Sequence, residues 1–387
     1  MAYKYNPFTK KLDFNPTVTE VTTVPLSIIE RGDYSGNTPP IVRPCFDWSA
    51  PTEISISSSP AGNANDIAWS PNGEYVAVVS ASSPRVKIYQ RSVNTFNTLA
   101  DPGTLPTGSG NGISWSLDGE FLGVAHSTTP FITIYQRSNN TFTKLSDPGT
   151  LPGGNSLGVA WSPNGRFLAV GGTSSSFAIY ERSGTTFTKL ADPATMPAGN
   201  TNVCQFSPDG RFLAVGHSST PFITIYDIDD ITFTKVSNPD VLPSDGVLGL
   251  AWNPNSQVLS VGSDADTRLK IYNRSNTTFT KISDPATMPD FTIRKMHYDS
   301  TGKYLALSTT HDGGSSPVIY SVSGDTYTLL TDIAALGTTL LSIKFSPDTQ
   351  YLAIGVGSGT TLRMYRTTAD MPSGAVAGVD KVFRNGT

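Results

Sequence analysis

The sequence predicts an all-β fold: a seven-bladed β-propeller of four-stranded antiparallel blades, closed by an N-terminal strand and preceded by an extended arm. Three observations predict it. An aromatic residue recurs at Trp69, Trp115, Trp161, Phe206, Trp252, Tyr298 and Phe345, spaced by 46, 46, 45, 46, 46 and 47 residues. A second series keeps the same step through Tyr89, Tyr135, Tyr180, Tyr226, Tyr272, Tyr320 and Tyr365. Each interval holds four short β-favouring runs, such as LGVAWS, RFLAVGG, SFAIYER and TTFTKLA, separated by Pro, Asn, Asp, Gly or Ser. A fixed step of this length with four strands per unit marks blades stacked radially, because a lone four-stranded sheet cannot bury both of its faces.

The turn after the first strand, SPNG or SPDG, places Pro where φ near −65° is wanted and Gly where the chain leaves the turn, which fits a type I β-turn. Apolar spacing of three and four is never sustained long enough for a helix. The seventh unit ends early: TLRMYRTTADMPSG supplies a third strand at Tyr365, but no TFTKL strand follows. The alternating segment TEISISS, Thr52 to Ser58, is expected to fill that place, with Ile54 and Ile56 closing the ring. The expected division is therefore an arm over residues 1–50, a propeller over 51–366 and a tail over 367–387.

Composition narrows the function classes. Charged residues make up 15% of the chain and the formal charge is −4, so no broad basic surface draws the protein to nucleic acid. The start lacks an apolar signal-peptide core and no segment is apolar enough to span a bilayer, so a soluble protein made without Sec-type export is expected. Cys45 and Cys204 are the only cysteines; one bridge is possible, and two buried thiols are the expected state.

The segment FSPDGRFLAVGHSSTPFITIYD, Phe206 to Asp227, and its six relatives resemble the WD40-type repeat family over roughly Thr52 to Arg366. That resemblance implies a propeller and does not fix a function. No unit carries the family's Gly-His pair before its first strand, and Tyr followed by Gln, Glu, Asp, Asn, Ser or Arg stands where the family ends its third strand with Trp-Asp. The family's His and Asp hydrogen-bond network is therefore not carried over. The opening YKYNPFTKKLDF, Tyr3 to Phe14, is similar to the N-terminal peptide of many tailed-bacteriophage virion proteins, typically YNPFTGKLD, with Lys10 where Gly is usual. SSTPFITIY and TFTKLADPATMP also resemble repeats encoded in phage genomes.

Taken with that resemblance, the Pro-rich, aromatic-bearing arm is expected to dock on other virion proteins through Tyr3, Tyr5, Asn6, Pro7, Phe8 and Phe14. The expected role is a non-enzymatic virion structural protein, present in several copies, with the propeller displayed outward. An intracellular interaction scaffold and a carbohydrate-binding propeller that meets a host glycan are the alternatives.

No motif for a nucleophile elbow, a Walker loop or a metalloprotease helix occurs, and no catalytic residue, metal or cofactor is expected. Candidate ligand-facing loop residues are His126 and Phe131 in blade two, His217 and Phe222 in blade four, and Asp264, Asp266, His311 and Asp312 in blades five and six. The phenylalanines would offer stacking surfaces. The recurrent Asp of DPxTLP or DPxTMP, at Asp101, Asp147, Asp192 and Asp284, is read as a turn initiator. The recurrent Lys of TFTK, at Lys144, Lys189, Lys235 and Lys281, is read as protection of an exposed strand edge.

Overall fold

A computed structural model describes residues 2–6, 11–15, 46–264, 268–289, 291–310, 315–330 and 335–369. Two units divide the chain, one of residues 48–367 and one of residues 1–47 with 368–387. In the smaller unit residues 2–6 and 11–15 form an antiparallel hairpin, β1 (Ala2–Asn6) with β2 (Lys11–Asn15), in a register that sets Tyr3 opposite Phe14 and Tyr5 opposite Leu12. The extended arm expected there is thus self-paired where Ala2–Asn6 meets Lys11–Asn15.

The larger unit is a ring of seven four-stranded antiparallel sheets. After β3 (Phe46–Ile54), blade one comprises β4 (Ala64–Trp69), β5 (Tyr75–Ser80), β6 (Val86–Ser92) and β7 (Thr95–Thr98). Blade two comprises β8 (Gly110–Trp115), β9 (Phe121–His126), β10 (Ile132–Ser138) and β11 (Thr141–Lys144). Blade three comprises β12 (Ser156–Trp161), β13 (Phe167–Gly172), β14 (Phe177–Ser183) and β15 (Thr186–Lys189). Blade four comprises β16 (Thr201–Phe206), β17 (Phe212–His217), β18 (Ile223–Asp229) and β19 (Thr232–Lys235). Blade five comprises β20 (Val247–Trp252), β21 (Val258–Ser263), β22 (Leu269–Ser275) and β23 (Thr278–Lys281). Blade six comprises β24 (Thr292–Tyr298), β25 (Tyr304–Thr310), β26 (Val318–Ser323) and β27 (Thr326–Leu330). Blade seven comprises β28 (Leu340–Phe345), β29 (Tyr351–Val356) and β30 (Leu362–Ala369), with β3 as its outer strand.

The first strand of each blade lies beside the first strand of the next, and β28 lies beside β4, so the ring closes. No helix occurs among the described residues, and none there is long and apolar enough to cross a membrane. The first turn is built as its sequence predicts: the Gly73 N–H donates to Ser70 O at 2.8 Å, and Gly73 leaves at φ +69°. The Ser70 hydroxyl completes the turn by donating to Asn72 Oδ1 at 2.7 Å and accepting the Tyr75 N–H at 2.9 Å.

Closure differs in register from the expectation. The closing strand is Phe46–Ile54 rather than Thr52–Ser58, so Trp48 and Asp47, read as arm, belong to the ring's last blade. Both segments alternate, but only the earlier one carries a side chain large enough to fill the seam. Trp48 is 1% exposed and meets the Phe345 ring edge-on at 5.1 Å. Pro51 is tolerated within β3 because this strand is a sheet edge, where a missing N–H breaks no ladder. Ile54 and Ile56 are only partly buried, and both pack on the cluster shared by blades one and seven. Glu53 adds a carboxylate that accepts from Arg363 Nη1 of β30 at 3.0 Å.

Adjacent blades are joined by a repeated seam. The Trp69 ring in blade one meets Phe96 of the same blade at 5.7 Å and Tyr351 of blade seven at 6.3 Å. Trp115 with Phe142 and Tyr75, Trp161 with Phe187 and Phe121, and Trp252 with Phe279 and Phe212 repeat the triad. The indole N–H of Trp69, Trp115 and Trp252 donates to a carbonyl on the preceding blade's first strand, those of Lys344, Ala68 and Gln205. Above the triad an arginine covers the neighbour's ring and pairs with the Asp of the neighbour's first turn. Arg91 covers Tyr351 and reaches Asp348 at 2.6 Å, and Arg274 covers Phe212 and reaches Asp209 at 2.9 Å. Arg182 covers Phe121 and reaches Asp118 at 3.3 Å.

The tyrosine series supplies a second joint. Each of Tyr89, Tyr135, Tyr180, Tyr226, Tyr272 and Tyr320 donates its hydroxyl at 2.7–3.0 Å to a carbonyl of the loop entering its own blade. Burial raises the pKa of the first five phenols well above the usual tyrosine value, which keeps them protonated donors.

Two outcomes follow from closure and seam. Trp48→Ala empties the last seam and should cost about 3–5 kcal/mol, read as a lower denaturant midpoint at unchanged slope; an unchanged midpoint would remove β3 as the closing strand. Burial alone would raise the Asp209 carboxyl, but the Ser207 hydroxyl, the Arg211 N–H and the Arg274 guanidinium outweigh it and hold the pKa below its ordinary value. A depressed carboxylate stabilises above its unfolded pKa, about 3.9, and ceases to do so as pH falls through the folded value. Melting temperatures of the wild type and Asp209→Asn should therefore differ at pH 6, and the gap should close on acidification to about pH 2–3.

Candidate functional site

One end of the propeller carries the loops between the second and third strands. In blades two and four these are tight turns with cis peptides at Thr129-Pro130 and Thr220-Pro221, followed by Phe131 and Phe222 at φ +67° and +66°. The Phe131 N–H donates to Thr128 O and the Phe222 N–H to Ser219 O, both at 2.7 Å. Cis proline at the third turn position makes each a type VI turn, a geometry not read from the sequence. Phe131 and Phe222 are half-buried, and Phe222 packs on the core between blades four and five, so its ring serves the seam.

His126 and His217 are corrected from loop to core. Each ends the second strand of its blade, fully buried, with Nε2 paired to Thr133 Oγ1 at 3.1 Å and Thr224 Oγ1 at 3.0 Å. Burial lowers the His126 pKa to about 4, against the opposing pull of the Ile132 and Thr128 backbone, and lowers that of His217 as well. Both rings are neutral at pH 7 and closed off from solvent. Asp264 accepts the Thr292 hydroxyl. Pro7, Phe8, Asp266, His311 and Asp312 lie outside the described residues, as does Cys45. Cys204 is a buried free thiol whose pKa burial pushes up to about 12.

The recurrent Asp and Lys find each other. Lys144 pairs with Asp147 and Lys281 with Asp284, both at 2.6 Å, and Lys189 pairs with Asp192. Lys87 stands 3.6 Å from Asp101, and Lys235 donates to Asn238 at 2.7 Å. These rim pairs leave no free basic girdle for phosphates and no open acidic girdle for calcium at those positions. Their aspartates are exposed, so each contributes little to stability.

A second group of charges stands on the first strands of blades one, six and seven. A β-bulge in the first strand of every blade re-aims the residues near its start. At the bulge, the amides of Asn65, Asn111 and Asn202 donate to the next blade's first strand at 2.8–3.1 Å. One residue later the strands carry Asp66, Gly112, Gly158, Val203, Gly249, Lys295 and Ser342. Asp66 is buried; Oδ1 accepts the Ile67 N–H at 3.0 Å and the Ser342 hydroxyl at 2.9 Å. Its Oδ2 accepts the Ile113 N–H at 3.3 Å and stands 3.7 Å from Lys295 Nζ.

Two residues further along the strands, Lys344 and His297 face this group from blades seven and six. Burial lowers the Lys344 pKa, with Asp66 opposing and Lys295 reinforcing the shift. His297 is held neutral by burial and by the Lys344 charge, and its Nδ1 accepts the Phe345 N–H at 3.2 Å. Aligning the units on their aromatic would have exposed this cluster, since an acid and a base stand in a column otherwise filled by Gly, Val and Ser. Among the described residues no three His, Cys, Asp or Glu side chains are grouped to hold a metal ion.

Comparison with known proteins agrees with the geometry. A family model described as WD domain, G-beta repeat matches residues 148–181 and 240–273, each running from the loop before blade three or five into its third strand. No curated protein matches the sequence. Among solved structures, the crystal structure of RRP9 WD40 repeats is 12% identical with a TM-score of 0.64, covering 83% of this chain and 98% of that one. A chain of the mitotic checkpoint complex is 18% identical with a TM-score of 0.65, covering 88% and 99%. A chain of hydrazine synthase from Kuenenia stuttgartiensis is 14% identical with a TM-score of 0.63, covering 81% and 98%. At these identities the likeness is one of fold, and the chain is a seven-bladed β-propeller carrying WD-type repeats.

Proposed function

We propose that the protein is a non-enzymatic structural component of a phage particle, attached through its N-terminal hairpin to another virion protein and displaying the propeller outward. The observation that carries this reading is the hairpin itself. The YNPFTKKLDF word, similar to the leading peptide of tailed-phage virion proteins, pairs β1 with β2 and belongs to a unit separate from the ring. A two-stranded sheet is marginal in isolation, so it gains most by adding its edges to a partner's strands. Propellers with WD-type repeats commonly serve protein interaction, which suits a displayed platform. Several copies per particle complete the reading.

The test compares particles carrying the intact chain with particles carrying the Tyr3→Ala, Tyr5→Ala, Phe14→Ala variant. Gradient-purified particles should contain several copies of the intact chain by mass spectrometry, and the variant should be lost from particles while melting at the same temperature. Absence of the intact chain from particles would overturn the reading in favour of an intracellular interaction scaffold.

A further inference from the structure

One bridge between blades six and seven is made by a side chain that can titrate. Along an antiparallel strand, alternate N–H groups point toward the partner strand and away from it. In β28 the Ser346 N–H bonds Tyr351 O at the turn, so the neighbouring Phe345 N–H, opposite Leu352, points away from β29. His297 of β24 meets it there. Its Nδ1 accepts the Phe345 N–H at 3.2 Å, so Nε2 carries the proton, and its ring lies 6.4 Å from the Phe345 ring. Phe345 in turn holds Trp48 of the closing strand at 5.1 Å. The contact thus reaches from blade six through blade seven to β3.

The other joints show what is particular here. In the remaining blades the level of His297 is held by Ala68, Ser114, Ala160, Gln205, Ala251 and Lys344. Alanine offers no acceptor, lysine only donates, and the Gln205 side-chain oxygen is buried without a partner. Among these residues Ser114 alone repeats the contact, its hydroxyl accepting the Trp161 N–H at 3.3 Å. A hydroxyl keeps its lone pairs at any ordinary pH, whereas an imidazole loses its acceptor on protonation.

We propose that His297 is an acid-sensitive fastener of the ring: neutral, it holds Phe345 and through it the closing strand; protonated at Nδ1, it releases the Phe345 N–H and loosens the joint between blades six and seven. The charged groups around it are Lys295 on its own strand, Lys344 on β28 and Asp66 on β4, which stands 3.7 Å from Lys295. β25 sets Ala306 opposite His297 and carries Tyr304 as its one titratable residue, and β20 of the preceding blade carries no acid, base or phenol. Desolvation first, and the Lys344 charge second, lower the closed-ring pKa of His297 well below the usual histidine value. In an opened joint the imidazole regains about 6.5. A base whose pKa is lower in the closed form stabilises closure fully above about pH 6.5, and that stability is lost as pH falls from there toward the closed-form value. Within that window each pH unit should raise the opening equilibrium about tenfold. The switch is independent of attachment to a particle.

Peptide-resolved hydrogen exchange of the intact chain, corrected for the intrinsic exchange rate, reads local opening of β3 and β28, with β20 of histidine-free blade five as internal reference. The comparison runs from about pH 7.5 to about pH 5 on wild type and His297→Asn, which keeps an acceptor oxygen and does not titrate. In wild type, opening of β3 and β28 should rise about tenfold per pH unit below about 6.5, ahead of β20, and in His297→Asn that rise should be absent. Should His297→Asn fail to fold, His297→Gln and the ratio of β28 to β20 exchange within the wild type carry the same comparison. An equal acid response in wild type and variant, no acid response in wild type, or loosening shared equally by β20 would overturn the switch.

Discussion

Everything in the ring depends on one seam, in which a first-strand tryptophan wedges between its own outer strand and the second strand of the preceding blade. Ring contacts at 5–6 Å add about 0.5–1.5 kcal/mol per pair beyond the area they bury. The Arg–Asp pair over three of the four triads is partly solvated and adds less, but it fixes where the arginine stem lies and so seals the apolar layer from water. A seam of this kind explains why the chain repeats nearly the same words: each blade must offer one face to its predecessor and the complementary face to its successor. Where blade six departs, the requirement is visible. Tyr298 replaces the tryptophan, and its buried hydroxyl is satisfied by Ser260 at 2.8 Å and Tyr327 at 2.7 Å.

Closure follows from the same constraint. Seven copies written in order leave the last blade without an outer strand, and a strand drawn from before the first copy supplies it. It must bring an aromatic to Phe345 as the other outer strands bring Phe96 or Phe142 to their tryptophans. Trp48 does so, and Ile54 and Ile56 do not. The closing strand is therefore chosen by what fills the seam and not by alternation alone.

The same distinction separates what was legible in the sequence from what was not. Strand number, blade number, the Ser-Pro-Asp-Gly turn and the need for a borrowed strand are local or periodic, and a single chain states them. The closing segment expected from sequence differs from the one observed because Thr52 to Ser58 alternates as well as Phe46 to Ile54, and the earlier strand holds Pro51, which a sheet edge accommodates. His126 and His217 looked like loop residues because the turn beyond them is so short that the strand runs to its edge. The tyrosine clamps, the bulge asparagines and the channel charges join residues roughly 30 to 280 positions apart. Only closing the ring brings them together.

That closure also explains where a propeller of copied blades has room for something particular. In the column that holds Asp66, a Cβ added at Gly112 would meet Leu157 O at 3.0 Å, and one at Gly158 would meet the Val203 Cα at 3.1 Å. Side chains are crowded there by the next strand's backbone, so glycine is the undemanding choice. A carboxylate in that column must be repaid with hydrogen bonds, and Asp66 receives them from Ile67, Ile113 and Ser342. Lys295 and Lys344 bring two cations to that single anion. Glycine or alanine stands at one or the other of these levels in four of the seven blades, so the fold itself does not require charge there.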